Sequence, residues 1–146
     1  MSAALNCNIC FIGGGNMAQA LIGGLISRGL PPTRITVSDP VEKVRLLLAE
    51  KDVCVTDDNI AAIHDADIVL FAVKPQVLAS VLKPLKGLFE GKLVMSIVAG
   101  AEIATITTLL ATDRIVRVMP NTPALVQTGA HGLYATDAVD SKDREL

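Results

Sequence analysis

The chain is poor in aromatic residues, in charge of either sign and in long apolar runs. Aromatic residues make up 3% of its 146 residues, charged residues make up 19%, and the formal net charge is −2. Without a basic patch and interleaved aromatic side chains, a nucleic acid partner is not expected. The longest strand-like apolar run, 68–73, is far shorter than the roughly 18 residues that span a bilayer, and no signal-peptide pattern is visible. We therefore predict a cytoplasmic protein that binds neither nucleic acid nor a membrane.

The sequence has only three cysteines, and it lacks a cluster of residues with metal-ligand spacing. Cys7 and Cys10 have the spacing of a redox pair or of half a zinc site, but residues three apart on a strand point to opposite faces. We interpret both as small side chains of the interior and predict no metal site. His64 and His131, expected at a helix end and in a late loop, have no evident partner for catalysis.

What the sequence does have is short apolar runs that alternate with segments of helical period; 51% of its residues are hydrophobic. Six strands are predicted, in the stretches ICFI, RITVSDP, DVCVTD, DADIVLFAVKP, KLVMSIVAG and RIVRVMP. Between them we expect helices over 17–28, from Pro40, over 57–64, from about Gln76 to a bend or end at Pro84, and over 102–111. This alternation predicts a doubly wound, mostly parallel α/β sheet.

Three expectations concern the ends of helices. Gly29 is expected to end the first helix. Pro40 is expected in the first turn of the second helix, which would bury Val41, Val44 and Leu48. The last residues of the chain, 137–146, resemble the beginning of another helix, and a single turn is not stable by itself. We therefore expect residues 1–146 to be one domain, the N-terminal part of a longer protein.

The first predicted strand leads into three consecutive glycines and then a helix, a context in which the pattern Gly13-x-Gly15-x-x-Ala18 is informative. Gly13 would permit the tight turn, Gly15 would let the backbone approach a pyrophosphate, and Ala18 would let the helix pack on the strand. Gly14 indicates a loop with little room. The N–H groups of residues 15–17 would then face an anion at the start of the helix. A glycine-rich turn that binds nothing remains the alternative.

Asp39 follows the second predicted strand, where a carboxylate can accept hydrogen bonds from an adenosine ribose. It could equally cap the helix that begins near Pro40, and the two roles can coexist. A carboxylate there disfavours a 2′-phosphate and so favours NAD, but Lys43 and Arg45 could offset its charge. The choice between NAD and NADP stays open.

Two further polar stretches follow strands at the same predicted edge of the sheet, where ligands bind in open α/β folds. Lys74, in AVKPQ, could be a catalytic acid, a cofactor contact or a solvated surface charge. Asn121 and Thr122, in MPNTP, lie between prolines in a stiff loop that could line a nicotinamide or substrate pocket, or could simply turn the chain.

Four stretches together, FIGGGNMAQALIGGL, AVKPQ, SIVAG and RVMPNTPALVQTGAHGLYA, resemble pyrroline-5-carboxylate reductase over about residues 9–135. The resemblance implies a Rossmann-type dinucleotide-binding domain and an NADPH- or NADH-dependent reduction of the ring C=N bond of 1-pyrroline-5-carboxylate to L-proline. In such a reaction, protonation of the imine nitrogen makes the ring carbon electrophilic, and the nicotinamide supplies the hydride.

The resemblance also assigns cofactor contacts and no catalytic residue within this chain. It implies that Lys74 contacts the cofactor and is not an acid. The implied cofactor-binding residues are Ile12, Gly13, Gly14, Gly15, Asn16, Met17, Asp39, Asn59, Ala72, Val73, Lys74, Pro75, Val98, Ala99, Gly100, Asn121 and Thr122.

The sequence departs from this family where its members continue into a helical domain. That domain dimerises and supplies the substrate loop, so the resemblance implies a homo-oligomer built through a part that this chain lacks, and weak activity of the chain alone. Two alternatives remain: another imine or β-hydroxyacid-type NAD(P) oxidoreductase, and a nucleotide-binding module without catalysis.

Overall fold

The sheet of this protein is built from short strands of three to six residues. The computed structural model describes residues 7–112, 114–120 and 131–135. The strands are β1 (Ile9–Ile12), β2 (Ile35–Ser38), β3 (Cys54–Thr56), β4 (Ile68–Phe71), β5 (Leu93–Ser96), β6 (Ile115–Pro120) and β7 (His131–Ala135). They form one sheet in the order β3-β2-β1-β4-β5-β6-β7.

The first six strands are parallel, and the chain winds outward from β1 in two directions, first to β3 and then from β4 to β6. The predicted doubly wound, mostly parallel sheet is therefore confirmed. The seventh strand pairs antiparallel with β6, and the sequence analysis missed it. His131 begins this strand, so its expected place in a late loop is wrong. A five-residue run that contains a glycine carries too little alternation to be recognised as a strand.

Helices cover both faces of the sheet. They are α1 (Asn16–Ser27), α2 (Glu42–Ala49), α3 (Asn59–Ile63), α4 (Leu78–Leu82) and α5 (Ile103–Leu110). On one face, Phe11 and Leu70 share a hydrophobic cluster with Ile22 of α1 and Leu48 of α2. On the other face, the neighbouring strand residues pack with α3, α4 and α5. A strand covered on both sides must be apolar throughout, which explains the continuous hydrophobic run of β4.

The end of α1 follows the sequence closely, whereas the start of α2 does not. Gly29 has a φ of +106° and follows Arg28, the C-cap residue of α1, as expected of a helix-ending glycine. The second helix begins at Glu42 and not at Pro40, and Val41 is 51% exposed, so its expected burial is wrong. The reason is local: Asp39 Oδ1 accepts the N–H of Val41 at 2.9 Å, and this turn uses the residues that would otherwise begin the helix.

Two other helices are shorter than predicted. The helix expected over 57–64 is confined to α3 because Asp58 caps it, its Oδ1 accepting the N–H groups of Ile60 and Ala61 at 3.0 and 3.2 Å. The helix expected from Gln76 consists of a 3-10 turn, Pro75–Val77, then α4, then a second 3-10 turn, Lys83–Leu85. Pro84 lies in that second turn, so the predicted end of the helix near Pro84 is confirmed.

None of the three cysteines forms a disulfide bond, and they lie in three different environments. Cys10 is fully buried in β1, and burial raises the pKa of its thiol to about 12. Cys7 is half-buried, and burial is also the main cause that raises its pKa. Cys54 is exposed. Interpreting Cys10 as an interior side chain is therefore confirmed, and Cys7 fits that interpretation only in part. Among the residues described, no helix combines the length and the apolar character needed to cross a bilayer.

Candidate functional site

The carboxyl ends of the parallel strands bring most of the candidate residues to one edge of the sheet. In β1, Ile12 pairs with Ser38 of β2 and with Phe71 of β4. Phe71 in turn pairs with Ser96 of β5. The segments that follow these four residues therefore lie side by side. They are the glycine turn 13–15, Asp39, and the loops 72–75 and 97–100.

Gly13 makes the sharp turn out of β1. Its φ is +105°, a conformation that L side chains rarely adopt. A Cβ at this position would lie 2.7 Å from the carbonyl oxygen of Ala72. The glycine turn and the loop after β4 therefore touch, backbone to backbone, and only glycine permits this contact.

Gly14 is buried and lies against side chains of α2. A Cβ here would lie 2.9 Å from Leu48 Cδ1 and from Val44 Cγ1, which bears out the expected lack of room. Its N–H donates to Asp39 Oδ2 at 2.9 Å, and its carbonyl oxygen accepts from Gln19 Nε2 at 2.8 Å. Both polar groups of this buried peptide segment are thus paired with side chains.

Gly15, in contrast, faces open space. No atom lies within 4 Å of where its Cβ would be, and its φ of −73° is one that any residue can adopt. The structure of the protein therefore does not require glycine here. Ala18, one turn into α1, is 1% exposed and packs into the core, as expected of the position where helix and strand meet.

The first turn of α1 offers backbone N–H groups to a ligand. Gly15 is the N-cap residue and makes no side-chain capping bond. The N–H of Gln19 is the first in this helix to donate to the chain, reaching Gly15 O at 2.9 Å. Earlier N–H groups of the helix, those of residues 16–18, are the ones that a helix leaves unpaired. Together with the helix dipole and the open side of Gly15, they fit a phosphate group.

Asp39 lies beside the glycine turn, as the sequence predicts, but its carboxylate binds the chain itself. Oδ2 accepts from Gly14 and Oδ1 from Val41, both at 2.9 Å. Arg45 donates from Nη1 to the main-chain oxygen of Asp39 at 2.8 Å, so the guanidinium is held at the same loop. The capping interpretation of Asp39 holds only as a local turn, because Val41 is the N-cap residue of α2.

Asn59 is the first residue of α3, which follows β3 along the chain. The hydroxyl of Ser38, which is buried, donates to Asn59 Oδ1. This bond orients the amide of Asn59 and leaves its two N–H donors for another group. The half-buried side chain lies next to the loop of Asp39, since Ser38 pairs with Thr56 just before α3.

The loops after β4 and β5 differ in what they can offer. Ala72 and Val73 are half-buried, whereas Lys74 and Pro75 are exposed. Pro75 shares with Ala99 and Gly100 the lining of a groove of about 460 Å³ between α4 and α5.

Two of the candidate residues have side chains that face inward. The side chains of Ile12 and Val98 belong to the hydrophobic core, so only their main-chain atoms can meet a ligand. Asn121 and Thr122 lie outside the described residues. No group of three or more His, Cys, Asp and Glu side chains in the described part of the chain is arranged to hold a metal ion.

Two residues that shape the site were missed by the sequence analysis. Gln19 fixes the carbonyl of Gly14, and Ser38 orients Asn59. A polar residue one turn into a helix that follows a glycine turn is a usable signal for the first. The second had no signal, because a serine that ends a strand is compatible with many contacts.

A parallel doubly wound sheet with a glycine turn against the first helix, at the carboxyl edge, defines a Rossmann-type α/β domain. The family model described as "NADP oxidoreductase coenzyme F420-dependent" matches residues 8–100. The chain belongs to this family.

Individual relatives make the similarity more specific. The chain is 48% identical over 145 residues to the pyrroline-5-carboxylate reductase of Pasteurella multocida, covering 95% of this chain and 53% of that protein. It is 48% identical over 129 residues to the enzyme of the same name from Haemophilus influenzae, covering 87% and 48%. The resemblance stated from the sequence is confirmed.

Solved structures agree. A pyrroline-5-carboxylate reductase from Coxiella burnetii superposes with a TM-score of 0.90 at 39% identity, covering 95% of this chain and 53% of that one. The Plasmodium falciparum pyrroline carboxylate reductase with NADP bound gives a TM-score of 0.84 at 29% identity, covering 96% and 52%. The chain thus spans about half the length of the relatives it matches.

Proposed function

We propose that this chain is the dinucleotide-binding domain of an NADPH- or NADH-dependent pyrroline-5-carboxylate reductase, which forms L-proline from 1-pyrroline-5-carboxylate. The observation that carries this proposal is the 48% identity, over 95% of the chain, to an enzyme of that name. The small imine is then the substrate, the enzyme works in the cytoplasm, and it assembles as a homo-oligomer through a second domain. The geometry of the glycine turn supports the cofactor independently.

The cofactor fits the arrangement at the carboxyl edge. The diphosphate would bind the N–H groups at the start of α1, where Gly15 presents no side chain. The adenosine ribose would lie toward Asp39 and the free amide donors of Asn59. The remaining candidates would follow the cofactor toward its nicotinamide, namely Ala72, Val73, Lys74, Pro75, Val98, Ala99, Gly100, Asn121 and Thr122.

When bound, the reduced nicotinamide supplies the hydride. The residues of this chain bind and orient it, and the packed edge of the sheet excludes water from one side. Lys74 is exposed and follows a strand end, so it suits a contact with the cofactor. We assign no proton donor to this chain, and for that reason expect the chain alone to turn over weakly.

The proposal is tested by titration with NADH and NADPH, followed by nicotinamide fluorescence, and by oxidation of each in the presence of 1-pyrroline-5-carboxylate. The assay compares this chain with a protein that carries it joined to the second domain. We expect both proteins to bind the cofactor and only the longer one to oxidise it rapidly. Binding without oxidation by either protein would favour a non-catalytic module, and turnover of a different substrate would favour another reductase.

A further inference from the structure

We infer that Asp39 is a positioning residue, which holds the glycine turn in shape for the diphosphate and is not chiefly an acceptor for the ribose. The inference rests on the proposed binding of a nicotinamide nucleotide. Each oxygen of the Asp39 carboxylate accepts a main-chain N–H at 2.9 Å, one from Gly14 in the turn and one from Val41 before α2. The carboxylate therefore joins two loops that come from different strands.

The bond to Gly14 matters because this residue is buried and its N–H donates to this carboxylate. Its carbonyl oxygen is held by Gln19 Nε2, and its N–H has Asp39 as its acceptor. Without that acceptor, a buried N–H would lose its partner, which is unfavourable enough to move the backbone. Because Gly14 immediately precedes Gly15, such a movement would displace the N-cap and the phosphate-facing N–H groups of α1.

Asp39 is itself held in place, so it can serve as a fixed point. Its own N–H donates to Thr56 O at 3.0 Å, which continues the ladder between β2 and β3. Its carbonyl oxygen accepts from Arg45 Nη1 at 2.8 Å. The backbone of Asp39 is thus bonded on both sides, and the carboxylate extends from a fixed position toward the turn. A turn fixed before the ligand arrives loses less entropy on binding.

The two roles of Asp39 predict different dependence on the 2′ position of the cofactor. A carboxylate that accepts hydrogen bonds from the ribose is specific for a free 2′-hydroxyl. Its removal weakens the binding of NADH and relieves the repulsion of the 2′-phosphate of NADPH. A residue that shapes the diphosphate site affects both nucleotides alike, since both carry the same diphosphate. The ratio of the two dissociation constants therefore separates the roles.

The first experiment measures Kd for NADH and for NADPH in the intact protein and in Asp39→Ala, Asp39→Asn and Glu42→Ala. We expect Asp39→Ala to weaken both nucleotides about tenfold, or about 1.4 kcal/mol, with their ratio changed less than about twofold. Asp39→Asn should weaken the binding of both nucleotides nearly as much, because an amide offers one acceptor where two are needed. The same amide could still accept a hydrogen bond from a ribose hydroxyl. Glu42→Ala removes the same charge from the start of α2 and should change neither Kd by more than about twofold.

If Asp39→Ala weakened the binding of NADH alone, and bound NADPH as tightly as the wild type or more tightly, the inference would be overturned and the proposed function would stand. An unchanged Kd for both nucleotides in Asp39→Ala would have the same consequence. If the wild-type protein bound neither nucleotide, the proposed function would fail instead.

A second measurement needs no ligand. We expect the amide hydrogens of Gly14 and Val41 to exchange with solvent at least about tenfold faster in Asp39→Ala, which removes both acceptors, than in the wild type and in Glu42→Ala. Equal exchange at Gly14 in all three proteins would contradict the positioning role, whatever the nucleotides do.

Discussion

Three neighbouring glycines in this chain lie in three different environments. Gly13 has a backbone conformation and a contact that exclude a side chain, and Gly14 lies against the side chains of α2. Gly15 has neither restriction, so the protein alone does not explain it. A glycine that the fold does not need is best explained by something that approaches it from outside. The sequence predicted the turn at Gly13 and the lack of room at Gly14, and both are confirmed, whereas the approach of a pyrophosphate to Gly15 stays a prediction.

We expect Gly15→Val to weaken binding of NADH and NADPH at least about a hundredfold while leaving the free energy of unfolding within about 1 kcal/mol of the wild type. Valine adopts the extended conformation found here, and its side chain would fill the space that the diphosphate needs. Fluorescence titration and denaturation in urea measure the two quantities. Ala49→Val, on the exposed end of α2, is the control and should bind normally. Tight binding by Gly15→Val would mean that the diphosphate lies elsewhere.

We expect Gly13→Ala to lower the free energy of unfolding by at least about 2 kcal/mol. The new Cβ would combine an unfavourable φ with a 2.7 Å approach to the carbonyl of Ala72. Gly87→Ala is the matched control, because Gly87 also has a positive φ but nothing within 4 Å of a Cβ. Equal losses in the two variants, measured by urea denaturation, would show that the contact with Ala72 adds nothing.

At the scale of helices and strands, the sequence predicted which elements exist better than where they begin. Hydrophobic period located β1 to β6 and the five helices, because each must bury a face on the same sheet. It failed at the start of α2, where the Asp39 carboxylate turns the chain through Val41. That bond joins residues two apart, so its signal was local: an aspartate before a proline favours a turn, and the sequence analysis weighed Asp39 only as a helix cap or a ribose acceptor.

The cap of α3 is an element-scale prediction. Asp58→Ala removes the acceptor of the N–H groups of Ile60 and Ala61, and we expect it to lower the free energy of unfolding by about 1 kcal/mol. Asp57→Ala removes the adjacent exposed carboxylate, for which the structure of the described residues shows no capping bond, and should have an effect below about 0.5 kcal/mol. Urea denaturation of both variants measures the two losses. A larger loss in Asp57→Ala than in Asp58→Ala would contradict the assigned cap.

At the scale of the whole molecule, fold and carboxyl-edge site followed from the order of elements, since parallel strands end on one side. What the order could not predict is how the segments at that edge are fastened to one another. Gln19, Ser38 and Arg45 fasten them through single side-chain bonds. The bond from Ser38 to Asn59 joins separate segments, so no single stretch of sequence predicts it. The bonds from Gln19 and Arg45 reach only five and six residues along the chain, and the polar residue one turn into α1 is a usable signal for the first.

The buried thiol at the centre of the sheet links global stability to pH. Burial raises the pKa of Cys10 from 9.0 to about 12, so the unfolded chain releases this proton at lower pH than the folded one. The contribution of Cys10 to the free energy of unfolding is therefore fully present below about pH 9. It is lost as the pH rises toward 12, by at most about 1.4 kcal/mol per pH unit.

We expect Cys10→Ala to flatten the decline in free energy of unfolding between about pH 9 and 10.5, relative to the wild type. Cys54→Ala, which alters an exposed thiol, should keep the wild-type slope. Denaturation in urea at a series of pH values measures this difference. Parallel curves for Cys10→Ala and the wild type would exclude Cys10 as the group that titrates.

The close fit of Gly14 against Val44 and Leu48 has a consequence for how such chains diverge. A Cβ at position 14 would lie 2.9 Å from both of these side chains, so both have to shift or become smaller. Among descendants of this sequence, an alanine at 14 should be inherited most often together with smaller residues at 44 and 48.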